Sequence, residues 1–118
     1  LFAVGFSTGA VKEDAVKRDA ASPERLSATA PALVLWATAF GVRKGDRLSL
    51  TIIAPDGRKL HNNAVVISRN QAWRLSYGGK RRKQVRWPAG RYRGEAVLRR
   101  RKNDTAVTLR KHIYVSVQ

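Results

Sequence analysis

The 118-residue sequence contains no cysteine and no methionine, and only eight carboxylates stand against 24 lysines and arginines. Without cysteine there is no disulfide scaffold, no thiolate zinc site and no cysteine nucleophile. A chain that opens on Leu1 and lacks methionine reads as a piece, or a processed form, of something longer. No apolar run approaches the roughly 18 residues that suggest a spanning helix. No basic start followed by an apolar stretch and a small-residue cleavage site is present, which in a fragment bears little on compartment. What remains is a chain of one ordinary domain's length, 43 % hydrophobic, with three each of Trp, Tyr and Phe. That is enough to build a core, so disorder throughout is excluded.

The formal charge of +16 is unevenly placed. Residues 1–35 balance Lys12, Lys17, Arg18 and Arg25 against Glu13, Asp14, Asp19 and Glu24, so the whole excess lies in residues 36–118. Between Asp56 and Glu95 there is no carboxylate, while Lys80-Arg81-Arg82-Lys83 and Arg86 fall in that interval. A second basic run follows at Arg99-Arg100-Arg101-Lys102. The asymmetry suggests a neutral lead-in, residues 1–30, joined to a basic domain, residues 31–118.

Periodicity points to strands. Phe2, Val4 and Phe6 alternate with Ala3 and Gly5. Residues 7–30 are polar and Ala-rich, broken by Ser22-Pro23, and read as a linker with a turn or two of helix near Val11–Val16. The apolar run Ala32–Phe40, bounded by Pro31 and Gly41, fits a buried strand. Leu48, Leu50 and Ile52 alternate cleanly after a Lys44-Gly45-Asp46 turn, and Pro55-Asp56-Gly57 closes a hairpin. Weaker strands are expected over Lys59–Ile67, with irregularity at Asn62-Asn63, and over Gln71–Tyr77, where Trp73, Leu75 and Tyr77 share a face. Residues 78–86 read as a Gly-led basic loop. A strand over Tyr92–Arg100, a turn at Lys102-Asn103-Asp104 and a long last strand follow. In that last strand Val107, Leu109, Ile113, Val115 and Val117 share one parity. About seven short strands at this spacing, with no strand–helix alternation, predict an all-β fold, an immunoglobulin-like antiparallel β-sandwich behind a long N-terminal lead-in. In Trp87-Pro88-Ala89-Gly90-Arg91-Tyr92, the residues Pro88, Gly90 and Tyr92 suit the corner in which a tyrosine hydroxyl bonds back to upstream backbone.

The search for chemistry is mostly negative. His61 and His112 are far apart and belong to no H-E-x-x-H, H-x-H or H-x-x-x-D pattern, so both read as surface histidines and no metal site is expected. Asp46, Asp56 and Asp104 sit in expected turns, and Glu95, alone in a basic strand, is expected to pair with a neighbouring arginine. No carboxylate dyad, nucleophile motif or nucleotide-binding loop can be assembled, and Gly78-Gly79-Lys80 lacks the spacing and helix of a phosphate loop. No catalytic residue and no cofactor are therefore assigned. The remaining feature is Lys80, Arg81, Arg82, Lys83 and Arg86, candidate anion ligands, flanked by Trp73, Tyr77 and Trp87 as candidate stacking residues. The alternative is a solvated basic surface over core aromatics.

Three stretches in order carry a resemblance: Ala3-Val4-Gly5-Phe6; Pro31–Val34 through Gly41–Asp46 and Ala54–Gly57; and Arg69–Trp73, Gly79–Arg82 and Trp87–Tyr92. Together they resemble the C-terminal region that follows the catalytic domain in some proteobacterial envelope peptidases of the lysostaphin/LytM type. Those are zinc endopeptidases that cut peptidoglycan cross-links. Their zinc ligands lie in H-x-x-x-D and H-x-H motifs, both missing here, so no catalytic residue is carried over. The resemblance implies a non-catalytic β-sandwich accessory region facing the periplasm. Its basic stretch, matched by Lys80–Arg82, would contact an anionic envelope component or the parent catalytic domain. A nucleic-acid or other polyanion-binding module is one alternative, weakened by the lack of any helix-turn-helix, zinc-finger or RNA-recognition signature. A purely structural domain, packed on a missing catalytic domain through residues 1–35, is the other. Nothing in the sequence selects an oligomeric state.

Overall fold

The computed structural model describes residues 2–8, 25–102 and 105–118. The expected helical turns near Val11–Val16 and the turn residue Asp104 lie outside them. Eight strands are present: β1 (Phe2–Ser7), β2 (Arg25–Leu26), β3 (Ala32–Val42), β4 (Arg47–Ile53), β5 (Lys59–Val66), β6 (Gln71–Arg81), β7 (Gly90–Lys102) and β8 (Thr105–Val117). They form a three-stranded sheet, β1-β3-β6, and a five-stranded sheet, β2-β8-β7-β4-β5. All pairings are antiparallel except β2 on β8. Hairpins join β4 to β5 and β7 to β8 within one sheet, while β3–β4, β5–β6 and β6–β7 cross between sheets. This is an immunoglobulin-like β-sandwich.

The eighth strand comes from the lead-in, which is not a separate unit. β1 pairs with β3 from Phe2↔Ala39 to Ser7↔Val34. Val4 and Phe6, with Leu26, Ala28 and Ala30, are buried in the main core. An apolar alternation at one end of the chain cannot stay in water when an apolar strand edge is free beside it, so the domain begins before residue 31.

The core follows the alternation. Leu33, Leu35 and Ala37 of β3 face Leu50 and Ile52 of β4, Tyr92 and Ala96 of β7, and Val115 and Val117 of β8. Gly94 lets the sheets close up, since a Cβ there would sit 2.5 Å from Leu35 Cδ1 and 2.9 Å from Phe6 Cζ. β3 is apolar on both faces because its outer face is also covered: Trp36, 4 % exposed, lies over Gly5 of β1, where no side chain would fit. Gly41 (φ 65°) is skipped by the ladder, which runs from Phe40↔Trp73 to Val42↔Gln71, so β3 extends past the expected stop.

Two expectations about exposure fail. Val107 and Leu109 are about half exposed although they share the parity of buried Val115 and Val117. β8 is uncovered over residues 105–112, because the facing sheet has only three strands to lay against five. His61 is not a surface residue near a turn. It sits within β5 opposite Ile52, its Nε2 is buried without a partner, and burial holds its imidazole below the usual histidine range. An added Cβ at Gly78 would lie 2.6 Å from that nitrogen.

One end of the sandwich is tied by a buried carboxylate. Asp46, 2 % exposed, accepts the Arg43 amide at 2.9 Å and both Nε and Nη2 of Arg100, at 3.0 and 2.8 Å. Arg100 Nη2 also donates to the Gly41 carbonyl at 2.9 Å. The Ile67 amide donates to the Asp46 carbonyl at 2.7 Å, so Asp46 and its partner Arg100 join β3, β7, the start of β4 and the loop before β6. Burial by itself would raise the Asp46 carboxyl. The Arg100 hydrogen bonds, the Arg43 amide and the two guanidinium charges outweigh it and hold the group below the ordinary carboxylate range.

Candidate functional site

The basic segment expected as a loop over residues 78–86 is in large part a strand. Gly78, Gly79, Lys80 and Arg81 pair with Leu35, Val34, Leu33 and Ala32, and only Arg82 onward leaves the sheet. The apolar run of β3 supplies backbone partners that far, and the ladder hydrogen bonds outweigh the weak strand preference of the glycines.

Arg82 is not available to a ligand. Its guanidinium donates to three backbone carbonyls, Ala30 at 3.2 Å, Gln84 at 3.0 Å and Val85 at 2.6 Å, while its amide donates to Pro31. It shapes the β6–β7 connection. Trp87 is likewise structural: 3 % exposed, it donates Nε1–H to the Ala30 carbonyl at 2.9 Å and its amide to Ala28. It offers no free face for stacking, which corrects the sequence expectation. The physical reason lies in the lead-in: residues 26–30 pack over the indole and supply the acceptor it needs when buried. In the same corner the Tyr92 hydroxyl donates to the Pro88 carbonyl at 2.8 Å, and Gly90 takes a φ of 137° with Pro55 packed against it. Burial, and the Asp56 charge after it, push the Tyr92 phenol up.

Register separates the other two aromatics. Trp73 sits opposite Phe40 and Tyr77 opposite Trp36, on the outer face of the three-stranded sheet. Four residues along a strand is about 13 Å. Tyr77, 55 % exposed, is the ring near the basic residues, and Trp73 belongs to the far half of the sheet.

What the fold brings together is a cleft of about 630 Å³ on that outer face, at the Arg81 end of β6. Its floor is Val34 with Gly78 and Gly79, its walls are Thr8, Pro31, Ala32 and Tyr77, and Lys80 and Arg81 stand at its rim. Gly79 is required there, because a Cβ would run into the Leu33 carbonyl. Among the described residues no carboxylate lines the cleft. Lys83 and Arg86 are exposed on the adjoining loop. The cleft therefore presents one aromatic ring, an apolar floor and the Arg81 guanidinium; Lys80, opposite buried Leu33 in the ladder, starts from the other face of the strand.

The second basic run is elsewhere. Arg100 reaches Gly41, beside the Gln71 end of β6, whereas Lys80 and Arg81 close the other end, roughly 33 Å away along the strand. The two runs do not merge. Sequence reasoning grouped neither run with Arg47 and Arg110, which strand pairing sets beside Arg99 on the outer face of the five-stranded sheet. Pairing partners far apart in sequence left no local signal for that grouping.

The described carboxylates are all occupied: Asp46 by Arg100, Asp56 by Arg58 at 3.4 Å, and Glu95 by Arg93 at 3.3 Å and Arg110 at 3.1 Å. Asp56 also accepts the Arg58 amide at 2.9 Å, the turn role its position suggests. Among the described residues no group of His, Cys, Asp or Glu is arranged to hold a metal ion, and no helix is long and apolar enough to cross a membrane. No protein-family model, curated protein or solved structure matches the chain.

Proposed function

We propose that the chain is a non-catalytic accessory module of a bacterial cell-wall metallopeptidase, which holds or orients the enzyme at an anionic component of the envelope. The observation that carries this reading is the cleft at the end of β6, where Tyr77 and Arg81 flank an apolar floor with no carboxylate among the described residues. A peptidoglycan stem carboxylate at the rim would gain the Arg81 guanidinium, while a ring or aliphatic segment of the same polymer covers Val34 and the glycines. The ordered resemblance to lysostaphin/LytM-type C-terminal regions supports the envelope over other anionic partners, and with it a periplasmic location.

Each exposed ion pair contributes only about 0.2–1 kcal/mol, and salt screens it within a Debye length of roughly 8–10 Å. One cleft therefore binds weakly. Retention on a wall comes from the polymer's repeated anions, which make rebinding fast and local. In this reading the module supplies no catalytic group and no cofactor ligand.

The test is a pull-down of the chain on insoluble peptidoglycan over a salt series, with a nucleic-acid competitor alongside. Binding should fall steeply with salt and survive the competitor. The variant combining Lys80→Ala, Arg81→Ala, Lys83→Ala and Arg86→Ala should lose it while keeping the fold. Arg82 is left in place, since removing its three carbonyl contacts would disturb the loop. Undiminished binding by the variant would sink the proposal, and transfer to the competitor would favour nucleic acid.

A further inference from the structure

The outer face of the five-stranded sheet carries a second cationic cluster that the cleft does not use. Register sets Arg47 of β4 directly opposite Arg99 of β7. One rung on, Arg110 of β8 is opposite Val97, the next residue of β7 on that face. Alternation puts these arginines on the face away from buried Leu48, Leu50 and Leu98. Neighbouring strands are about 4.8 Å apart, so the Arg47 and Arg99 guanidinium groups can converge on one ligand, while Arg110 turns to Glu95 at 3.1 Å.

Like charges directly opposite each other destabilise a sheet. Among the described residues no carboxylate is paired with Arg47 or Arg99. The face's one carboxylate among the described residues, Glu95, lies two rungs away and is held by Arg93 and Arg110. Asp46, adjacent to Arg47 in sequence, is 2 % exposed and saturated by Arg100 and the Arg43 amide. A groove of about 520 Å³ runs between the arginines and contains the Ser49 hydroxyl and the Asn62 amide. Thr51 donates to Asn62 Oδ1 at 3.1 Å, which leaves the Asn62 NH₂ as a donor toward the groove. Glu95 also lines the groove, at the end where Arg93 and Arg110 hold it, so the cations left toward a ligand are Arg47 and Arg99 at the other end.

Two features select the ligand class. Arginine forks match phosphoryl oxygens in pairs, and a group carrying more than one charge best offsets an uncompensated pair of cations. The aromatics on this face are not free for bases: Arg91 lies 4.1 Å over the Tyr114 ring, and His112 meets that ring edge-on at 5.6 Å. We propose that the outer face of β4 and β7 binds a compact anion of linked phosphoryl groups, with Arg47 and Arg99 as the clasp and Ser49 and Asn62 completing the donor set. This site is independent of the envelope reading, since it lies on the opposite outer face from the cleft.

The test is thermal melting of the full chain with sodium tripolyphosphate as probe, and citrate at equal concentration as a non-phosphoryl trianion. Saturating tripolyphosphate should raise Tm by roughly 5 °C or more, and citrate distinctly less. The Arg47→Gln/Arg99→Gln variant should weaken apparent affinity at least about tenfold, the size expected when two charge-assisted contacts are lost. Its ligand-free Tm should be equal to or above the parent's, because a repulsion is gone. A charge-matched variant, Arg58→Gln/Arg69→Gln, removes two cations from turns off this face and should keep the shift. The proposal is overturned if tripolyphosphate gives no shift, if citrate matches it, if the clasp variant keeps its affinity, or if the charge-matched variant loses as much. Peptidoglycan retention of the clasp variant should be unchanged, so failure here and failure of the cleft reading are told apart.

Discussion

Removing the Asp46 carboxylate should be among the most damaging single changes in this protein. Asp46→Ala leaves the Arg100 guanidinium without its partner and the Arg43 amide without an acceptor. Breaking a buried pair costs on the order of 3–5 kcal/mol, and Arg100 is partly exposed, so about 3 kcal/mol is expected here. With a urea m-value on the order of 1.5–2 kcal/mol/M, the midpoint should fall by roughly 1.5–2 M. Arg100→Ala should cost somewhat less at neutral pH and carry a pH signature. In the parent the Asp46 carboxyl is held low, so its contribution is complete above the ordinary carboxylate value of 3.8 and is lost as pH falls through the lowered value. Burial is the largest single influence on Asp46, and without Arg100 only the Arg43 amide and charge oppose it, so the carboxyl should titrate higher than in the parent and the acid-side loss of stability should begin at a higher pH. The assay is equilibrium urea unfolding of both single variants and the double variant at pH 7 and at stepped lower pH. A coupling of about 1–3 kcal/mol between the positions is expected at pH 7. Additive single effects, or an Asp46→Ala loss under about 1 kcal/mol, would refute the reasoning that this pair ties the end of the sandwich.

Three further outcomes can be measured in the same way. Tyr92→Phe removes only the hydroxyl bonded to Pro88 and should cost about 0.5–1.5 kcal/mol with the native fold kept; an unchanged urea midpoint would mean the corner bond adds nothing. Gly78→Ala should destabilise by about 1–3 kcal/mol through contact with His61, and His61→Ala in the same chain should recover part of that loss. Because burial lowers the His61 imidazole from 6.5, the stability it permits is complete above that value and is lost as pH falls through the lowered one. His61→Gln should flatten that stretch of the stability–pH curve, and an unaltered curve would place the titration elsewhere.

The alternation of Leu48, Leu50 and Ile52, the turn at Pro55-Asp56-Gly57 and the Pro88–Tyr92 segment were each legible because strand period and turn chemistry act over a few neighbouring residues. So was the charge excess, which is a sum over side chains and needs no geometry. Local information could not say where the chain would stop pairing. Lys80 and Arg81 read as loop, but β3 offers them backbone partners 47 and 49 positions back, so they became part of a strand that borders a cleft. Trp87 and Arg82 look like ligand residues beside a basic run; contacts with Ala28, Ala30 and Pro31 made them part of the framework. The lead-in looked separable because its polar middle is long, yet Phe6 and Leu26 on either side of that middle enter one core. Composition and period thus determined that this chain makes a basic β-sandwich. Which cations remain free, and which arginines share a face, was decided by strand register, since antiparallel pairing joins residues whose separation in sequence carries no local trace.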